Sequence, residues 1–443
     1  MKRTSRILGA VGHVGRAVVL LATLLTANLA QATDITWSGA ANTNFTNVNN
    51  WVGGVLPANN TTVDNALFGA TLTANQPALT ANRLVLGLKF LKTDGGWTLG
   101  GSDYSLTIPS NGGGGIDDSA NTSGTTTIKP IVAGVNTMTI LVGQGGNLVL
   151  EKGITNTGSP IITIDGGTLT LGGIFVSTTG RNFAKRGTGT LILPGAAGST
   201  FQGGFTISAG KLIIGHKNAL GYGSFISATA VGNPSLLIEA SIPLIGENAI
   251  TNSVFWGGSN IVSGANDIEF SGPLTGPNSG GSVILNNFGS QRKLLFSGNV
   301  ALCNIGQVAS VSQTINVGGP GTTEFSGDMS NGSLTNKGSF TAGYIGSGIT
   351  ILSGNNSYTG ATTVSGGVLL LKSANALPGG NGASGGISPL TLAGGVLGLG
   401  YDDFSRTCTN VGYTIENMRF AGSGGFAAYG ADRTSTWAAR VPS

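Results

Sequence analysis

The sequence predicts an all-β chain wound as a right-handed parallel β-helix, a β-solenoid built from degenerate repeats of about 21–29 residues. Three observations predict it. The block Thr200 to Leu220 returns in register from Ser357 to Leu377, with an aromatic, a glycine, a Thr-rich strand, a small-residue turn, an aliphatic strand and a closing Asn-Ala-Leu at matched positions. Shorter pieces recur more often. Gly-Gly-x-Leu-x-Leu stands at Gly145, Gly166, Gly366 and Gly394, with Ala209 to Ile214 a near relative, and Phe-Ser-Gly at Phe270, Phe296 and Phe325 continues as Leu352-Ser353-Gly354 in steps of 26, 29 and 27 residues. Finally, helix signals are nearly absent: 77 glycines punctuate runs rich in Thr, Val, Ile, Leu and Asn, and no segment beyond the N-terminus carries a long apolar pattern at helical spacing. A sandwich or barrel would use the same composition, and the long repeat period decides for the solenoid.

Each element follows in chain order. Lys2, Arg3, Arg6 and Arg16 precede an apolar stretch from Ala17 to Leu25, and Ala30-Gln31-Ala32 offers small residues two apart. Residues 1–32 therefore read as a secretory signal peptide cleaved after Ala32, since the apolar run is too short and too broken by Thr23 and Thr26 for a membrane anchor. Residues 33–110 are less regular and hold Trp37, Trp51 and Trp97, the large side chains an end coil needs to cover an open core and edge, so they are expected to form an N-terminal capping region. Residues 111–432 are the repeat stack. In each Gly-Gly-x-Leu unit the glycines supply the corner and the alternating leucines point to one face, which predicts a continuous core at Leu148, Leu169, Leu212, Leu369 and Leu397. The tail, 433–443, loses the glycine-strand rhythm, as a truncated repeat would.

Charge excludes several functions. The chain has 22 Lys and Arg against 18 Asp and Glu, but four of the basic residues lie in the leader and none of the acidic ones do, so the exported product carries no net charge. No Lys/Arg cluster interleaved with aromatics marks a nucleic-acid surface, and the exported chain has no apolar span for a membrane. Cys303 and Cys408 are expected to be small buried hydrophobes rather than a disulfide, because coils that far apart in sequence sit several layers apart.

Chemistry is weighed at four places. Asp117-Asp118 and Asp402-Asp403 are the adjacent carboxylate pairs, but consecutive strand residues face opposite sides and cannot both aim at one bond unless a loop bends them. Gly112 to Asp117 matches the opening of a calcium-binding nonapeptide, which needs consecutive copies where one exists. His216, the sole histidine after the leader, reads as an exposed turn residue rather than a triad member. No glycine cluster is followed by Lys-Ser/Thr and a helix, so no phosphate loop is predicted. No catalytic, cofactor-binding or metal-binding residue is assigned, and no cofactor is expected.

The run from Ser357 to Leu371, with Asn375-Ala376-Leu377 behind it, resembles the autotransporter-associated β-strand repeat, and Thr200 to Leu220 is a looser relative. Trp37-Ser38-Gly39, Asn49-Asn50-Trp51 and Gly53 to Pro57 are similar to the opening of exported proteins that carry this repeat. The resemblance implies a secreted or surface β-helical passenger region of a bacterial protein and brings no catalytic residues. Such proteins commonly continue into further repeats and a C-terminal membrane barrel or sorting anchor. The sequence shows neither pattern, so release, capture by a partner or a truncated reading frame is expected. The function expected is a structural or adhesive element without catalytic activity, located outside the cell or on its surface, whose partners are surface glycans or other cell-surface proteins. The alternative is a carbohydrate-active β-helix enzyme, a polysaccharide lyase or glycoside hydrolase; a third is a non-functional remnant of a longer passenger. A groove discriminates the first two: an enzyme converges three or more ionised side chains, whereas an adhesin shows ladders of Asn, Thr and aromatic side chains.

Overall fold

A computed structural model describes residues 32–109, 114–135, 138–156, 158–177, 182–195, 199–228, 236–277, 280–289, 291–304, 313–332, 337–382, 387–408 and 417–437. Residues 1–31, nearly all of the expected signal peptide, and residues 438–443 at the end of the tail lie outside the described residues. Strands of two to six residues, cut by glycine corners, wind as coils of three faces. Thr139–Val142, Asn147–Leu150 and Gly153–Asn156 make one coil, and Ile161–Ile164, Thr168–Leu171 and Ile174–Ser177 make the next. Each strand pairs in parallel with its counterpart one coil on. The first face is a sheet of 13 strands and the second a sheet of 15. The third face comes in two pieces, five strands ending at Ile174–Ser177 and seven beginning at Ile268–Phe270. The chain is a parallel β-helix.

Alternation within the strands builds the interior. In Asn147–Leu150 and Thr168–Leu171 every second residue is buried, and Leu148, Leu169, Leu191 and Leu212 are successive register partners at steps of 21, 22 and 21 residues. The corners that permit this are the predicted ones: Gly145 and Gly166 sit at φ 82° and 84°, where a Cβ would strain the backbone. Leu148, Leu169, Leu212, Leu369 and Leu397 are all fully buried, each removing a side chain from water at a gain of about 1.5–3 kcal/mol. The Phe-Ser-Gly series is an internal aromatic stack. Phe270, Phe296 and Phe325 are register partners with ring centroids 5.6 and 4.9 Å apart and planes within 14° and 11°, and Leu352 takes the next slot.

The two long repeats do not occupy the same faces. Phe205–Ile207 and Lys211–Ile214 lie on the first and second faces, whereas Thr362–Val364 and Val368–Leu371 lie on the second and third. The repeat encodes strand, corner, strand and which residues point inward; it does not encode which of three similar faces receives them. Its buried slots are kept through the shift. The aromatics Phe201 and Tyr358 are fully buried, as are the Ala-Leu pairs Ala219-Leu220 and Ala376-Leu377 behind each strand.

Strands from residues 33–110 join the same sheets, with Thr33–Thr36 the edge of the first face. Immediately after that edge Trp37, Phe45 and Trp51 form a buried cluster, Trp51 meeting the other two rings edge-on at 5.1 and 4.9 Å. Both indoles find acceptors: Trp37 Nε1 donates to the Asn75 carbonyl and Trp51 Nε1 to that of Phe45. At the other end Phe404, Phe426 and Trp437 pack together, and Trp437 is exposed. Both cysteines are free. Cys303 is buried as expected, while Cys408 is only half-buried at the margin of the core, because its strand Thr407–Cys408 is the edge of the second face.

Candidate functional site

The strand geometry separates the carboxylate pair that the sequence offers for catalysis. In Gly115–Asp118 the side chains alternate, so Asp117 faces outward and Asp118 inward. Asp118 is fully buried, accepting hydrogen bonds from Thr126 Oγ1 at 2.8 Å and Asn121 Nδ2 at 3.1 Å. Burial pushes its carboxyl up to about 6 against those two hydrogen bonds, with the Asp117 charge adding to the push. It is an interior polar tie that braces a corner, out of reach of a bound polymer. Asp402 and Asp403 are exposed turn residues that accept from backbone N–H groups of Asp403 and Thr434.

The remaining candidates disperse likewise. His216 is half-buried rather than exposed, because its Nδ1 accepts from the Asn218 N–H and closes the turn ahead of Ala219-Leu220. Gly112 and Gly113 of the calcium-like stretch lie outside the described residues. Among the described residues no group of three or more His, Cys, Asp or Glu side chains converges on a metal position. Outward-facing charges pair singly along the stack, Lys211 with Glu239 at 2.7 Å and Lys293 with Glu324 at 3.7 Å. A buried cation that sequence reasoning missed is Lys185, register partner of Ile162 and Ile207. Its ammonium donates to the carbonyls of Gly187 and Ala209, both at 2.7 Å, and burial pulls its pKa down to about 8 against the opposing field of Asp165. Its placement was readable from the alternation of Phe183–Arg186, where Phe183 and Lys185 share the inward parity.

What the outer surface does present is ladders. On the second face Thr125, Asn147, Thr168 and Thr190 stand in one row across successive coils. Farther along, Asn316, Thr341 and Thr363 form a second row; Thr391, next in register, is buried and accepts a hydrogen bond from Arg419 Nε at 3.2 Å. Between them the same face turns aliphatic at Leu237, Ile261 and Leu285. The aromatic ladder lies inside the coil rather than outside, because the phenylalanines hold inward parity.

Among the described residues, two hollows stand out on the faces. One, of about 240 Å³, lies on the first face over Gly87 and Gly115 and is lined by Asn65, Lys89, Asp117, Thr139 and Leu141. The other, a broad shallow hollow of about 580 Å³ beside the third face, is lined by Tyr104, Ile131, Lys152 and Ile174 among others. The first was findable from sequence only by aligning Gly-Leu-Lys-Phe at Gly87 with Gly-Ile-Asp-Asp at Gly115 as successive coils.

Two stretches of the repeated strands match a known family. Residues 183–214 and 345–371 match the Passenger-associated-transport-repeat. The chain carries this passenger repeat. In both passenger repeats the matched residues are strands joined by glycine corners, on the first and second faces in one copy and on the third and second in the other. Over 207 residues the chain is 30% identical to the "Adhesin BmaC autotransporter" of Brucella suis biovar 1 (strain 1330), an alignment that takes in 43% of this chain and 6% of that protein. The chain thus spans a small fraction of the relative it matches. No solved structure matches.

Proposed function

We propose that this protein is an exported surface passenger whose solenoid acts in adhesion and carries no catalytic activity. The observation that supports it is the outer surface: Thr and Asn ladders repeat across coils, and the adjacent carboxylates Asp117 and Asp118 are split between outside and inside. Lysis of a glycan needs ionisable groups converging on one bond, and ladders of short polar side chains offer repeated weak contacts along an extended partner instead. The passenger repeat and the likeness to an adhesin support the same reading. In this reading residues 1–32 are the leader, residues 33–110 cap the stack with their tryptophans, and residues 111–432 present the surface to glycans or proteins of another cell. The test is to coat beads with the purified protein, score attachment to cultured animal cells, and incubate the same preparation with pectin, alginate and xylan. Attachment above that of uncoated beads without cleavage is the expected result. Cleavage of any of the three, lost on Asp117→Asn, would establish the lyase or hydrolase alternative.

A further inference from the structure

The trough on the first face has the makings of a ligand site. Outward residues of that face run in two rows. One row reads Asp34, Asn65, Gly87, Gly115, Thr139, and the other reads Leu67, Lys89, Asp117, Leu141. Two successive glycines remove the side chains from the first row over two coils. This leaves a depression floored by strand backbone, ended by Asn65 and Thr139 and bordered by Lys89 and Asp117. Coils stack at about 4.8 Å, so the gap from Asn65 to Thr139 spans roughly 14 Å.

Asn65 is the observation that points to a ligand. It is only 2% exposed, its Nδ2 donates to Asp34 at 2.8 Å, and its Oδ1 has no hydrogen-bond partner. That oxygen borders the trough at Gly87, where a built Cβ would lie 2.8 Å from it. A buried amide oxygen without a donor costs about 1–3 kcal/mol, and a donor arriving in the trough would remove that cost. Around it the groups alternate in kind. Lys89 holds both oxygens of Asp34, at 2.9 and 2.8 Å. Asp117 accepts from Ser119 N–H and Oγ, both on Oδ1, and its Oδ2 accepts none.

We infer that this trough binds a neutral, hydroxyl-bearing sugar ring, held by Asn65 Oδ1 and Asp117 Oδ2 as acceptors with Leu141 and the Lys89 stem beside it. Vicinal hydroxyls donate and accept at close spacing, which is what an orphan amide oxygen, a carboxylate and an ammonium around one hollow require. The volume, about 240 Å³, falls below the ~300–1,000 Å³ of sites for drug-sized ligands and suits a single ring of a longer chain. Acidic sugars are disfavoured, because Lys89 is already neutralised by Asp34 and Asp117 leaves the site negative. An added peptide strand is disfavoured too, since the trough lies on the flat of a sheet whose strands are paired on both sides.

This site deepens the adhesive reading and rests on it, but the two fail separately. The chain is titrated against immobilised neutral oligosaccharides (maltotriose, cellotriose, chitotriose, lactose) and against sialyllactose and a heparin tetrasaccharide, with bead attachment scored in parallel. At least one neutral sugar is expected to bind, more tightly than the acidic ones. Asn65→Leu, which replaces the amide by an apolar group of similar size, should weaken that binding tenfold or more in a variant that still melts cooperatively. Asp117→Asn tests the second acceptor if Asn65→Leu does not fold. Binding of none of the neutral sugars, preference for the acidic ones, or full affinity in both folded variants overturns the site. Attachment of beads without sugar binding removes the site and leaves the adhesive role; sugar binding without attachment does the reverse.

Discussion

Replacing Phe296 by Ala tests the load carried by the internal aromatic stack. Its ring lies between Phe270 and Phe325, 5.6 and 4.9 Å away, and meets Trp256 edge-on at 5.7 Å, with 1% of the residue exposed. Truncation opens a cavity bounded by three rings that are themselves held by register, so the site collapses poorly and the loss should be about 3–5 kcal/mol. Phe296→Leu should cost under about 1.5 kcal/mol, because Leu352 already fills the same slot one coil beyond Phe325. Coils of a solenoid contact only their neighbours, so the damage should be local. The assay is native-state amide exchange read together with the urea midpoint. In Phe296→Ala, amides of Ile268–Phe270, Lys293–Phe296 and Thr322–Phe325 should exchange about a hundredfold faster or more, while those of Asn147–Leu150 keep their protection. Equal losses for Ala and Leu, or a loss for Ala under about 1 kcal/mol, would refute the claim that stacked rings hold these coils together.

Leu369→Asp places an unpaired carboxylate opposite Leu397 in the core and should destabilise by several kcal/mol, about the cost of a buried charge, measured as a fall in the urea midpoint. Asp118 titrates at about 6 when folded and near 3.8 when unfolded, so the folded state binds more protons between those values and stability should fall, not rise, as pH increases through that window. Asp118→Asn should flatten that slope, by about 3 kcal/mol at most across it, in melts at pH 4, 5, 6 and 7; an unchanged slope would place the titration elsewhere. Lys185 carries the opposite sign. Its pKa of about 8 lies below the ordinary 10.5, so its contribution should strengthen as pH rises from 8 toward 10.5, and Lys185→Met should remove that trend. Exported material should begin at Thr33, and N-terminal sequencing that returned Met1 would overturn the leader.

The parts of the fold legible in the sequence were those fixed by local rules. Alternation placed Leu148, Leu169, Leu212, Leu369 and Leu397 inward, and the Phe-Ser-Gly period located a stack whose rings then proved to be parallel. Assignment of strands to faces was not legible. The two long repeats differ by one face because three corners of similar chemistry satisfy the same strand-corner-strand code, and only the count of strands per coil decides which face comes next. That count changes: among the described residues no third-face strand stands between Ser177 and Ile268, and no first-face strand follows Met329–Ser330. The trough was hidden for a related reason. Asn65, Lys89 and Asp117 are separated by 24 and 28 residues, and their approach depends on a register that no single strand specifies.

The interior polar residues show why so few charges suffice. Asp118, Lys185 and Arg406 are each buried at a corner or coil end and hydrogen-bonded locally: Asp118 to Thr126 and Asn121, Lys185 to two carbonyls, and the Nη1 and Nη2 of Arg406 to the carbonyls of Ser388 and Gly380. At a corner the strand ladder stops and backbone carbonyls lose their sheet partners, and a long cationic side chain reaching in from an inward slot supplies donors that water cannot bring. Charges placed there serve the coil's own backbone, which leaves the outer faces to Thr, Asn and aliphatic rows. Like side chains can then stack on consecutive coils without repulsion, and a surface repeated every coil can meet a repetitive partner at many weak points at once.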